Sequence, residues 1–329
     1  MVYCINSEHG EIVIRDARTS DAKCFVKLVN DVIDREGLDS FYPYLNKEQL
    51  LKKFDKADSN LLSTYTVADF LKNGSKPVTG GYTRLLSFPP GQKSIYFLRG
   101  PWVNSSLDPA IVKTLVEKTL IKAFNMGIKV VKAQVPLIFE SRLKLLKEDF
   151  NFKMINRLFT YTLRVTEKSS TDVPDLPVTP VTIRLFSGDE TDAERVAMLH
   201  NACFSGHYKI STETLSFLSK DNHIFIAENR SKGKTIAGMA WLEIRRISGE
   251  VVGTVSDLVV YPRFRNKGIA TTLVLNCVRN AVVERVSRVN AEIADNNKQS
   301  IKTFSGCGFI RDEKSGVELL EKSLVSESL

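Results

Sequence analysis

The sequence predicts an α/β (α+β) fold built twice in one chain, and three observations carry that expectation. The chain has 329 residues, about twice the usual domain length of roughly 150. The segment "TEKSSTDVPDLPVTP" (166–180) breaks all periodicity with its prolines, serines and threonines and divides the chain nearly in half. The two sides then open alike, with "EIVIRDARTSDA" (11–22) and "PVTIRLFSGDETDA" (180–193) each giving an alternating strand, an Arg and an acidic helix start. The expected division is a first domain over 1–165, a linker over 166–180 and a second domain over 181–329.

The elements between these openings follow one order. In the first half, "STYTVADFL" and "VTGGYTRLLSF" are rich in aromatic and β-branched residues and read as strands around a turn at "KNGSKP". The strand "SIYFLRGPWV" follows, then a helix over about 109–126, the strand "KVVKAQV" and a short helix before Phe152. In the second half, "HIFIAEN" and "TIAGMAWLEIR" flank the turn "RSKGK". After them come "VVGTVSDLVV", a helix from about Gly268 to Val286, the strand "RVNAEIA" and a helix from about Asn297 to Gly306. The halves also close alike, "LLKEDFNF" (145–152) matching "FSGCGF" (304–309), each followed by an extended run. Arg15 and Arg184 lie 169 apart and Phe152 and Phe309 lie 157 apart. The first half therefore carries 12 extra residues, expected in "REGLDSFYPYLNKEQLLKKFDK" (35–56).

Composition narrows the function classes. Hydrophobic content of 43% and charged content of 26% are those of a globular protein. No apolar run approaches the roughly 20 residues that cross a bilayer, so no membrane partner is expected. The N-terminus resembles neither a secretory signal nor a transit peptide, which makes the cytoplasm the expected location. Five scattered cysteines without a C-x-x-C pair argue against a disulfide framework or a zinc ribbon. A net charge of +8 favours acidic ligands. Basic pairs such as Arg245-Arg246 lack the interleaved aromatic residues of a nucleic-acid stripe, which disfavours nucleic acid as a partner. "HNACFSGH" sets His200, Cys203 and His207 at metal-like spacing. It supplies no fourth ligand, so no metal is expected and packing or substrate contact is the better reading.

The stretch that points to chemistry is "YPRFRNKGIATTL" (261–273), where an apolar strand gives way to a helix. A helix start presents unpaired N–H groups and partial positive charge. Gly268 and Ala270 leave the approach bare, and Arg265 and Lys267 add attraction, so a pyrophosphate is the expected guest. The spacing is neither a P-loop nor a Rossmann turn, which disfavours ATP and NAD.

This stretch resembles the acyl-CoA motif of the GNAT superfamily of N-acetyltransferases: Gln or Arg, two residues, Gly, one residue, then Gly or Ala. Arg265-Asn266-Lys267-Gly268-Ile269-Ala270 satisfies it. The preceding "DLVVYPRF" looks like the family's strand end, and "NKQSIKTFSGCGF" (297–309) looks like its second motif, so the resemblance covers about 180–329. It implies two tandem GNAT-like domains, each a mixed, mostly antiparallel sheet flanked by helices, an arrangement similar to mycothiol synthase. The first half has "WVNSSLDPAIV" at the loop and Asn151-Phe152 in place of Gly308-Phe309, which makes it a degenerate repeat.

The resemblance further implies acetyl-CoA as cosubstrate. Two parallel strands would splay, with the pantetheine arm on the backbone of Leu258, Val259 and Val260. The diphosphate would sit on the amides of Arg265, Asn266, Lys267, Gly268, Ile269 and Ala270. Asn297, Ser300 and Phe304 of the second motif would complete the cofactor site. A strand amide near Val259 would stabilise the developing oxyanion. Asp257 is the leading candidate base for the attacking amine, with Glu243 and Glu292 as runners-up. One departure is Phe304, where many members have a Tyr that protonates the leaving thiolate. The implied activity is N-acetylation of a primary amine on a small molecule or peptide. The alternatives are a non-catalytic acyl-CoA-binding protein, or an acetyltransferase acting on a protein or RNA amine.

Overall fold

A computed structural model describes residues 3–7, 10–36, 47–71, 78–87, 95–103, 109–165, 175–204, 210–213, 215, 222–229, 235–247 and 249–324. Two compact units result, one formed by Met1–Arg157 with Val317–Leu329 and the other by Leu158–Gly316. The turns expected at 72–77 and 230–234, most of the linker (166–174) and His207 lie outside the described residues. Among the described residues no helix is long and apolar enough to cross a membrane.

The first unit is a sheet of β1 (Tyr3–Ser7), β2 (Gly10–Asp16), β3 (Tyr65–Leu71), β4 (Val78–Ser87), β5 (Ile95–Val103) and β6 (Val130–Pro136), in that spatial order. The neighbours are antiparallel except β5 and β6, which run parallel. Its helices are α1 (Ala22–Glu36), α2 (Lys47–Asp55), α3 (Ser59–Ser63), α4 (Pro109–Asn125) and α5 (Glu140–Lys144). The extra residues of this half thus include a helix, α2, that the sequence reading left unassigned. The core is aromatic: Phe25 of α1 stacks on Tyr82 at 4.0 Å and meets Phe54 of α2 edge-on at 5.7 Å. Full burial of such a side chain contributes about 1.5–3 kcal/mol, so α2 is held by its one buried aromatic residue.

The second unit orders its strands β7-β12-β11-β10-β9-β8. These are β7 (Lys153–Arg164), β8 (Val181–Leu185), β9 (Asn222–Asn229), β10 (Ile236–Ile247), β11 (Glu250–Val260) and β12 (Arg288–Ala294). Short β13 (Ile310–Arg311) pairs with β7. Helices α6 (Glu190–Cys203), α7 (Ile269–Val283) and α8 (Lys298–Gly306) flank the sheet. In α7 the fully buried Leu273, Val274, Cys277, Val278 and Ala281 recur at helical spacing, which presses that face onto the sheet.

The duplication is visible residue by residue. Arg15 forms a forked pair with Asp21 and a second with Asp69 on the neighbouring strand. Arg184 does the same with Asp192 and Glu228. Asp21 and Asp192 lie 171 apart while Asp69 and Glu228 lie 159 apart, so the 12 extra residues fall between Asp21 and Asp69, as expected. Beyond that point a constant offset of 157 joins special positions. Gly81 and Gly238 let the next strand approach, since a Cβ would come within 2.7 Å of Val103 in one case and 2.6 Å of the Val259 carbonyl in the other. Asn151 and Gly308 both take positive φ, 54° and 89°, before the core residues Phe152 and Phe309. Asn tolerates the left-handed region, so this departure in the first half leaves the backbone unchanged.

The compact units do not follow the halves of the sequence. Strand β14 (Val317–Ser323), at the end of the chain, completes the first unit by pairing antiparallel with β6, from Val317 opposite Pro136 to Ser323 opposite Val130. Strand β7, which ends the first half, pairs with β12 of the second unit from Leu158 to Arg164. The physical reason lies in the open edges of β6 and β12: each needs a partner, and each takes the strand contributed by the other repeat. Buried Glu318 on β14 is held by Lys147 and Arg157 at 2.5 and 2.8 Å. Burial alone would raise its carboxyl, but those two cations outweigh it and hold the group below the usual range.

Candidate functional site

Strands β11 and β12 run parallel only from Val252 to Thr254, opposite Arg288 to Asn290. Both continue, to Val260 and Ala294, without further pairing to each other. The splay implied by the family resemblance is therefore present. It opens a cleft of about 610 Å³, inside the range of small-molecule sites. Leu258, Val259 and Val260 form one wall. Arg265, Asn266, Gly268, Ile269 and Ala270 form another, and Asn297 and Ser300 stand on α8.

Each wall has a local cause. Asn266 and Gly268 both adopt positive φ, 60° and 73°, so the chain coils tightly between the 3-10 turn Pro262–Phe264 and α7. Gly268 is the N-cap of α7 and brings no side-chain cap, which leaves the first amides of the helix to another acceptor. Its φ rather than crowding demands glycine, since the nearest atoms, in Pro177 and Thr179, lie at 3.4 Å from an added Cβ. Arg265 is exposed, and its Nε donates to the Val260 carbonyl at 3.1 Å. The loop's own guanidinium thus holds one of the backbone groups expected to receive a pantetheine arm.

Not every expected residue meets the cleft in the expected way. Lys267 is exposed beside the loop with its Nζ 5.7 Å from the Phe264 ring, outside the cleft lining. Asn297 caps α8, its Oδ1 accepting from the Ser300 amide at 3.1 Å, while also lining the cleft. Phe304 is turned inward and packs edge-on against Phe309 at 5.1 Å, a consequence of its apolar ring; α8 offers Thr303 and Gly306 to the cleft instead. Val259 directs its carbonyl at Gly238 of β10. By strand alternation its amide faces the same way and the backbone of Val260 faces the splayed side, where its carbonyl meets Arg265.

Asp257, next to the cleft-lining Leu258, sits at a bulge. Met239 pairs with Val259 and Trp241 with Ser256, leaving Asp257 and Leu258 opposite Ala240. Its φ is 47°, an uncommon conformation for a residue with a side chain, costing of order 1 kcal/mol. Glu243 on β10 is ion-paired with Arg245 and does not line the cleft. Glu292 is exposed on β12. Sequence reasoning missed Cys203 and Phe204, which close the cleft from the end of α6. Burial, partly offset by Arg265, raises the Cys203 thiol above its ordinary value. Of the metal-spaced set, His200 is fully buried, and no group of three or more metal-ligating side chains occurs among the described residues.

The corresponding strand end of the first unit lines a much smaller cavity among the described residues. Gly100, Pro101 and Trp102 stand 157 positions before Asp257, Leu258 and Val259 and line a cavity of only about 10 Å³ with Arg142, Leu145 and Leu146. That volume admits no more than roughly one water.

Comparison with known proteins agrees with this geometry. Residues 193–309 match the acetyltransferase (GNAT) family model. No curated protein matches the sequence. A GCN5-related N-acetyltransferase from Sphaerobacter thermophilus aligns over 97% of this chain and 97% of its own, at 15% identity and a TM-score of 0.71. A tandem GNAT protein from the clavulanic acid biosynthesis pathway aligns over 96% and 100%, at 13% identity and a TM-score of 0.65. A glucosamine N-acetyltransferase region of a fungal multi-domain GH3 β-N-acetylglucosaminidase covers 94% of this chain, which spans 38% of that one, at 12% identity and a TM-score of 0.69. The second half of the chain therefore carries an acetyltransferase (GNAT) domain, and the chain as a whole has the fold of the tandem GNAT proteins.

Proposed function

We propose that the protein transfers an acetyl group from acetyl-CoA to a primary amine, and that it does so in the second unit. The observation that carries this reading is the single constellation of splayed strands, left-handed loop and uncapped helix start around one cleft. The residues present fit acetyl-CoA. The amides at the start of α7, with Arg265, suit a diphosphate. The backbone of Leu258 and Val260 suits the amides of a pantetheine arm, and Asn297 and Ser300 lie along the same cleft. Bound acetyl-CoA would supply the thioester; the rest of the chemistry falls to the protein's own groups.

Two tasks follow. The attacking amine must lose a proton, and Asp257 is the carboxylate beside the cleft wall that can accept it. Negative charge developing on the thioester oxygen needs a donor, which a backbone amide of the splayed strand, that of Val260 first, would supply. Protonation of the leaving thiolate has no side chain assigned to it. Phe304 has no proton, and the Cys307 thiol is pushed up to about 11 by burial, so it stays protonated within the core. A thiol with an ordinary pKa near 8.5 is a tolerable leaving group without such help.

A second reading is favoured by one observation, the buried, proton-free Phe304. It makes the protein a non-catalytic acyl-CoA binder, with the first unit as a scaffold. Release of free CoA thiol from acetyl-CoA, followed across a panel of primary amines, separates the two. Amine-dependent release is the expected result. Tight acetyl-CoA binding with no release from any amine in the panel overturns the enzyme reading in favour of the binder.

A further inference from the structure

His200 meets the proposed base. It lies on α6 with its side chain fully buried, 4.7 Å from the Phe204 ring and 6.3 Å from that of Trp241. Its Nε2 is 3.7 Å from Asp257 Oδ1. On the far side of the ring, Nδ1 faces Asn201 Oδ1 at 3.4 Å. The Asn201 amide is oriented from both ends, its Nδ2 donating to the Ile210 carbonyl at 2.9 Å and its Oδ1 accepting from the Ile210 amide at 2.8 Å. An oxygen so fixed can only accept from Nδ1. A neutral ring making this contact carries its hydrogen on Nδ1 and presents the Nε2 lone pair to Asp257.

A lone pair facing a carboxylate leaves a place for one proton between them. Of the other titratable groups on the elements packed around the ring, Asp192 and Arg195 of α6 are tied into the ion pairs with Arg184 and Glu228. Glu243 of β10 is held by Arg245, and Cys203 interacts with Arg265. Among the described residues, Asp257 is the acid seen in contact with the ring, at 3.7 Å.

We propose that His200 stores the proton that Asp257 takes from the acceptor ammonium. The inference rests on the acetyltransferase reading above. The ammonium N–H bond breaks as an O–H bond forms on Asp257. That O–H bond then breaks as Nε2–H forms, so an ammonium and a neutral ring become a neutral amine and an imidazolium while Asp257 ends as a carboxylate. The handover moves the proton one bond further from the amine and returns Asp257 to the form that can hold the next ammonium. After transfer the proton leaves by the same route, since the Asp257 side chain is 18% exposed. His200 acts through Asp257 and is thus a positioning residue for the base. The strained bulge has a role in this account: it turns Asp257 between cleft and ring.

The full chain labelled with 15N-histidine tests this without any acceptor. Of its four histidines, His200 is assigned by its loss in His200→Gln. Long-range proton–nitrogen spectra then read which ring nitrogen carries hydrogen. The expected result is a neutral ring protonated on Nδ1, with an Nε2 resonance that moves in Asp257→Asn while Nδ1 stays. A neutral ring protonated on Nε2, or an Nε2 resonance indifferent to Asp257→Asn, overturns the relay. Acetyl-CoA titrated into the same wild-type sample keeps the two readings apart. Failure to bind contradicts the acetyltransferase reading itself, whereas binding with an Nε2-protonated ring removes the relay alone.

Discussion

Gly100 and Asp257 stand 157 positions apart and occupy the same bulge, one in each unit, with φ of 92° and 47°. Glycine takes such a conformation without steric cost, whereas a residue with a Cβ pays about 1 kcal/mol. Only the unit with an open cleft carries the strained carboxylate. A local cost borne beside the cleft where the chemistry is proposed is the physical reason to test Asp257 for a functional role.

Replacing Asp257 by Gly therefore separates stability from activity. Strain is relieved and the packing around His200 is kept, so the thermal midpoint should stay within about 3 °C of wild type or rise. Amine-dependent turnover should fall by roughly 100-fold or more, the usual worth of a general base. A thermal scan beside a CoA-release assay checks both, and a variant that melts early with activity in proportion would make Asp257 a structural residue.

Thiol reactivity maps the cleft independently. Cys277 is pushed well above the ordinary thiol range by burial, and Cys307 to about 11, so both should resist alkylation at pH 8 until the protein unfolds. Exposed Cys4 and Cys24 should label first. Cys203 lines the cleft, so its slower labelling should be suppressed at least several-fold by saturating acetyl-CoA while Cys4 and Cys24 are unaffected. Peptide mass spectrometry reads all five sites, and an unprotected Cys203 would place the ligand elsewhere.

The exchange of strands makes the halves interdependent. A fragment ending at 165 lacks the β14 partner of β6, and one beginning at 175 lacks the β7 partner of β12. Each fragment expressed alone should be poorly soluble or fail to bind acetyl-CoA, because a long unpaired edge is left open, while co-expression should restore binding. A fragment 175–329 that binds acetyl-CoA with wild-type affinity would show that β7 is dispensable.

Much of this architecture was legible in the residues. Periodicity placed the strands around the cleft and the helices over 109–125, 269–283 and 298–306 close to where they lie, because each is bounded by Gly, Pro or Asn and buries a regular face. The loop at Gly268 was legible because a left-handed residue at a helix start leaves a glycine in the sequence. The exchange of β7 and β14 was not, since "VELLEKS" is an ordinary strand whose partner β6 lies far upstream and no local pattern encodes that choice. The Asp257–His200 pair was hidden for the same reason: 57 residues separate them, and the sequence reading grouped His200 with nearby Cys203 and His207 as packing or substrate-contact residues instead. Phe304 fits the second motif by spacing, yet an apolar ring beside Phe309 gains more from the core than from an open cleft.

One acetyl-CoA site is expected per chain, at the start of α7 in the second unit. Calorimetric titration of the full chain with acetyl-CoA, repeated on Gly268→Asp and Gly268→Asn, tests it most directly. Both variants strain a position with φ of 73°, but Asn tolerates that region and only Asp sets a negative charge at the helix start. The expected result is one site per wild-type chain, weakened modestly by Asn and by about 100-fold or more by Asp, a difference of roughly 2.7 kcal/mol. Binding that survives Gly268→Asp, a second site of equal strength, or no binding by the wild type would contradict it.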